Sequence, residues 1–147
     1  MAASGKPSQL GHIALRVRDL NRSVKFYSEA LGLAVKNQSP RAAFLGIRPD
    51  ASHELALFPL GDDAPGPEAG RVGMYHMAWE MSSFEELEAL QQRLIAQGAN
   101  IVGYSDRQAT VMFLDPDGNE LEAIWEPSPE ETERLAAAGA MPALKHD

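Results

Sequence analysis

Four histidines, 21 acidic side chains and no cysteine define the chemistry open to this chain of 147 residues. His12 and His76 occur in matching phrases, His12-Ile13-Ala14 and His76-Met77-Ala78, each flanked by apolar residues. A lone strand histidine is usually a packing residue. Two at equivalent points of a repeated unit point instead to one shared site, because a pseudo-twofold axis would bring both imidazoles together. Glu120 and Glu122 share one face of the last expected strand, opposite Leu121 and Ala123. A carboxylate held inside a strand costs several kcal/mol to bury unpaired, so it calls for a cation. Two imidazoles and one carboxylate form the ligand set of non-heme Fe(II), and the same donors accept Mn, Co, Ni or Zn. The absence of cysteine excludes thiolate ligands, thiol nucleophiles and disulfides.

The elements that must position these residues read as one pattern used twice. Gly11–Arg18 alternates as a strand, Asp19 is a candidate N-cap, and Leu20, Val24, Tyr27 and Leu31 follow at helical spacing up to Gly32. Strands are expected over Leu33–Lys36, Ala42–Ile47 and Glu54–Leu60. A Gly/Pro/Asp linker follows. Met74–Met81 begins the second copy. Ser82 or Ser83 with Glu85 or Glu86 forms a capping box, and Phe84, Leu87, Leu90 and Leu94 line a helix closed by Gly98. Ile101–Ser105, Thr110–Leu114 and Glu120–Glu126 complete it, with Asp115-Pro116-Asp117-Gly118-Asn119 as a tight turn. The expected fold is α+β: a βαβββ module over residues 9–60, a linker over 61–71 and a second βαβββ module over 72–127. A C-terminal helix and tail occupy 128–147, with Pro129 at the first helical position.

The 13 Lys+Arg leave a formal net charge of −8. Phosphate backbones and anionic lipid surfaces attract basic faces, so neither nucleic acid nor membrane is an expected partner. No apolar run approaches the roughly 20 residues of a membrane span, and MAASGKPSQ lacks the apolar stretch of a secretory signal. The expectation is a soluble cytoplasmic protein with a small-molecule partner.

The phrases GHIALRVRDLNRSVKFYSEALGL, GMYHMAWE and FLDPDGNELEAIWE resemble the vicinal oxygen chelate superfamily, which includes glyoxalase I, extradiol dioxygenases, bleomycin-resistance proteins and fosfomycin-resistance thiol transferases. The resemblance runs from Leu10 to about Pro127. It implies paired half-barrels enclosing a metal cup, with His12, His76 and Glu122, rather than Glu120, as ligands to one divalent first-row metal. Fe(II) is the first expectation and Mn(II) the next. Glyoxalase I adds a glutamate where this chain has Ala56, and Glu54 lies one pleat away. The chain is most similar to small catechol-2,3-dioxygenase-like members, which implies oxidation of a catecholic or vicinal-oxygen substrate and a homodimer. The alternatives are a non-catalytic small-molecule binding or resistance protein, and a thiol transferase or glyoxalase-type enzyme.

The departures fall at the acid–base positions. Met112 stands where extradiol enzymes carry a tyrosine, and Ser105-Asp106-Arg107 where they carry an Asp-His pair. Arg107 is a candidate cation beside substrate oxygens, and Tyr104 a candidate hydroxyl from the neighbouring strand. Met112, Phe44, Ala56 and Phe113 are the expected pocket wall. His53 has opposite parity to Ala56 and is expected to face away from the cup. Tyr75 alternates with His76 and is expected under a helix.

Overall fold

The computed structural model describes residues 2–105 and 109–146. The chain divides into two compact units, Met1–Ala64 and Pro65–Asp147. Each holds one four-stranded sheet in the order first-fourth-third-second, and a C-terminal helix follows the second. This is the α+β pattern of two βαβββ modules.

In the first unit the strands are β1 (Ile13–Val17), β2 (Ala34–Ser39), β3 (Ala42–Gly46) and β4 (Leu55–Pro59). β1 pairs in parallel with β4, and β4–β3–β2 run antiparallel. Leu15, Val17, Ala43, Leu45, Leu55 and Leu57 are buried, whereas Ala14 and Arg16 alternate outward. Burying each large aliphatic side chain is worth about 1.5–3 kcal/mol, which fixes that face against the helix and sets the register. β2 starts later than expected and is exposed throughout, as an edge strand. α1 (Leu20–Lys25) starts on Asp19, whose carboxylate accepts the Arg22 N–H at 2.8 Å. It then widens into a π-helical turn over Phe26–Ala30, with Leu31 N–H bonded to the Phe26 carbonyl. The Ser28 hydroxyl donates to the Val24 carbonyl at 2.7 Å, competing with the regular α ladder there.

The second unit repeats the topology with β5 (His76–Glu80), β6 (Asn100–Tyr104), β7 (Thr110–Leu114) and β8 (Glu120–Ile124). Its helix α2 (Phe84–Ala96) is regular, capped by Ser83 accepting from Glu86 N–H. Met77, Val111, Phe113, Leu121 and Ala123 are buried on one sheet face, as are Phe84, Leu87, Leu90 and Leu94 of α2. β5 starts at His76, two residues later than expected. Tyr75 is therefore not under a helix: it is 76% exposed, with its ring 4.9 Å from that of His76. The DPDGN turn is built on buried Asp115, whose carboxylate accepts from Asp117 N–H, Asn119 N–H and the Asn119 amide. α3 (Pro129–Ala137) starts on Ser128, and beyond it Leu144 is buried. Among the described residues no helix is long and apolar enough to cross a membrane.

Candidate metal centre

In the second unit β5 and β8 pair His76 with Glu120 and Ala78 with Glu122. β7 pairs Met112 with Glu122 and Leu114 with Glu120. Paired residues share a face, so these six side chains line the sheet surface opposite α2. His76 Nε2 lies 3.5 Å from Glu122 Oε2, and His76 Nδ1 lies 4.0 Å from Glu120 Oε1. The three side chains keep 30%, 21% and 19% exposure for His76, Glu120 and Glu122, enough shielding to make their charges felt. His76 Nδ1 is out of solvent and without a hydrogen-bond partner among the described residues. No lysine or arginine of the described residues pairs with either glutamate.

This arrangement fits a metal. Donor atoms about 2.0–2.2 Å from a shared ion, at square to tetrahedral angles, stand about 2.8–3.6 Å apart. The 3.5 Å between Nε2 and Oε2 falls in that range. Among the described residues no group of three or more His, Asp or Glu side chains is disposed to hold an ion, so the unit supplies a pair of donors.

The first unit carries the matching face with different side chains. Ala14 pairs with Ala56 and Phe44 with Ala56. Ile13 N–H bonds the Glu54 carbonyl, which sets His12 beside Glu54 as His76 is set beside Glu120. Glu54 is committed: its carboxylate accepts from Ile47 N–H at 2.9 Å and Arg48 N–H at 3.2 Å, and pairs with the Arg48 guanidinium at 3.3 Å. Ala56 offers no donor. His12 is exposed, and its ring lies 4.7 Å from that of His53. His53 therefore does not face away from His12. Residue 53 precedes β4, so ladder parity does not govern it; it rests against Phe44 at 4.9 Å, with Ser52 Oγ 3.0 Å from its Nδ1.

Two other expectations need correction. Tyr104 lies on the α2 side: it pairs with Val111, accepts a hydrogen bond from Gln91 at 3.1 Å and stacks on His146 at 4.0 Å. A register shift between Ile101 and Gly103 returns it to that face. Phe113 is fully buried opposite Leu121, because it alternates with Met112 and only one of the two can line the His76 face. Arg107 lies outside the described residues. The residue that sequence reading passed over is Glu120, set aside in favour of Glu122 although the two share a face.

The Glyoxalase/Bleomycin resistance protein/Dioxygenase superfamily profile matches residues 9–123. The chain is 31% identical over 125 residues to a catechol-2,3-dioxygenase of Bacillus subtilis (strain 168), covering 83% of this chain but only 43% of that protein. It is 33% identical over 114 residues to the glutathione transferase FosA of Serratia marcescens, covering 77% of each. Among solved structures, a glyoxalase/dioxygenase from Nostoc punctiforme superposes with a TM-score of 0.68 at 26% identity, over 87% of this chain and 97% of that one. With two βαβββ units and a matched profile across most of its length, the chain belongs to the glyoxalase/bleomycin resistance protein/dioxygenase superfamily.

Proposed function

We propose that this protein is a divalent-metal enzyme acting on a small molecule with two adjacent oxygens, by extradiol dioxygenase-like oxidation of a catecholic substrate. His12, His76 and Glu122 are its metal ligands, Fe(II) the first candidate ion and Mn(II) the next. The observation that carries this reading is the Nε2–Oε2 spacing of His76 and Glu122, on a shielded face with no side-chain cation beside them among the described residues. The 31% identity to a catechol-2,3-dioxygenase supports the reaction class. Once bound, such an ion supplies positive charge and open coordination positions for a chelating diol.

The chain's own residues shape what can bind. Met112, paired with Glu122, supplies an apolar thioether that excludes water and carries no exchangeable proton. In the first unit Phe44, edge-on to Phe58 at 6.3 Å, offers a ring for a flat substrate, and its cross-strand partner Ala56 adds little bulk beside it. A homodimer is the proposed assembly.

The test is anaerobic loading with Fe(II) or Mn(II), metal analysis, then a panel of catechols with an oxygen electrode. One ion per chain and oxygen uptake with a yellow ring-opened product are expected. Absence of bound metal, or unchanged metal content in His76→Ala, overturns the metal reading. Metal binding without oxygen uptake from any diol overturns the dioxygenase class. A thiol transferase is the second reading, favoured by the matched length of the FosA relative. Metal-dependent consumption of glutathione by an electrophile would select it.

A further inference from the structure

We infer that Glu120 is a positioning residue for His76, accepting a hydrogen bond from Nδ1–H when Nε2 holds the metal; this rests on the metal reading above. An imidazole that gives Nε2 to a cation keeps its remaining proton on Nδ1, and that N–H needs an acceptor. Here Nδ1 is shut off from water and has no partner among the described residues. Leaving such a donor unpaired costs about 1–3 kcal/mol. The carboxylate nearest to it is Glu120, with Oε1 at 4.0 Å, about 1 Å beyond hydrogen-bond length.

The backbone keeps this carboxylate at hand. Parallel pairing of β5 with β8 holds Glu120 directly beside His76, while Glu122 stands one pleat further along at Nε2. The two glutamates thus address the two ring nitrogens separately. Glu120 has no competing cation among the described residues. Its antiparallel neighbour Leu114 offers no side-chain hydrogen bond that would draw it away. A carboxylate on the far nitrogen fixes the tautomer and ring orientation and makes the ligating nitrogen more basic. With Glu122 it also sets two negative charges around a divalent ion.

Competition titration of Co(II) against a chromophoric chelator gives the affinity, and nitrogen-15 spectra of the Zn(II)-loaded protein read the His76 tautomer directly. Glu120→Ala is expected to weaken Co(II) binding about 10–100-fold and to lose the slowly exchanging Nδ1–H signal. Glu120→Gln, whose amide oxygen still accepts, is expected to keep the signal and lose less affinity. Its circular dichroism and melting curve check that the fold is intact. If both variants bind as the wild type does, while His76→Ala binds more weakly, Glu120 has no such role and the metal reading stands. If Glu120→Ala abolishes binding as fully as Glu122→Ala, Glu120 is a ligand and the positioning role is wrong. If the wild type binds no Co(II), or His76→Ala binds equally well, both fall together.

Discussion

The two units use one backbone for two kinds of carboxylate. In the second, Glu120 and Glu122 stand beside His76 without a cationic partner among the described residues. In the first, the equivalent register positions are Glu54 and Ala56, and the glutamate is folded away onto the β3–β4 connection. One cross-strand neighbour differs in kind between the units. Gly46 pairs beside Glu54, and a Cβ there would meet the Glu54 carboxylate; Leu114 occupies the matching place beside Glu120. A missing side chain lets Glu54 lie back over the strand and bind Ile47 and Arg48. Glu120 has the Leu114 side chain at the matching position and stands near His76. The first unit has turned its carboxylate to structural use, and the second has left two available for chemistry.

The largest expected effect tests whether each sheet has one packing face and one open face. Phe113→Ala empties a fully buried site and should destabilise the protein by about 3–5 kcal/mol in urea unfolding. Phe44→Ala, on the open face of the first unit, should cost less than half as much and instead weaken binding of aromatic ligands. Equal losses from the two would erase the distinction between faces. Next in size is the metal. Glu122→Ala should lower metal affinity by more than the roughly 100-fold that bounds effects beyond the ligands themselves, whereas Glu54→Ala should leave it within about twofold, well under the roughly tenfold loss expected of a residue that orients a ligand, because Glu54 is engaged by Ile47 and Arg48. An equal effect of both, read by chelator competition, would break the contrast between the units.

Much of this was legible in the sequence because the physics was local. Asp19 and the Ser82-Ser83 pair announced helix starts, with Ser83 the one that caps, Asp115–Asn119 announced a turn, and the repeated His-x-Ala phrase announced the duplication. What escaped was set by neighbours across the sheet. The bulge beside Gly103 returned Tyr104 to the helix side, a shift that no alternation count over residues 101–105 contains. His53 fell outside its ladder, so counting from Ala56 gave the wrong side. Glu54 and Glu120 look alike as residues. Their surroundings separate them: Glu54 pairs beside Gly46 and binds Ile47 and Arg48, while Glu120 pairs beside Leu114 and His76.

That pairing yields a smaller, sharper test. Gly46→Leu should drive the Glu54 carboxylate off Ile47 and Arg48 and destabilise the first unit by about 1–3 kcal/mol, the cost of leaving such groups unpaired. In a Glu54→Ala background the same substitution should cost much less, because the obstructing carboxylate is gone. Additive losses in the double-mutant cycle would show that Gly46 serves some other purpose.

The smallest effect lies at the helix starts. α1 has no acidic residue in its first turn, while α2 has Glu85 and Glu86 there. The Glu85 carboxyl sits below its ordinary value of 4.5, held down first by its hydrogen bond from the backbone N–H and then by the Ser83 hydroxyl. A folded value below the unfolded one means that ionised Glu85 favours the folded state. That contribution is complete above the unfolded value and fades as pH falls through the folded one. Glu85 is fully exposed, so solvent screens the gain and the effect is slight. Urea midpoints of wild type and Glu85→Gln should therefore differ slightly at neutral pH, with the wild type higher, and converge in acid. A gap that persists to strongly acid pH would assign the difference to packing or helix propensity instead of charge. Convergence would assign this pH response to the Glu85 carboxylate in the first turn of α2, a position that is not acidic in α1, where the carboxylate is the N-cap Asp19.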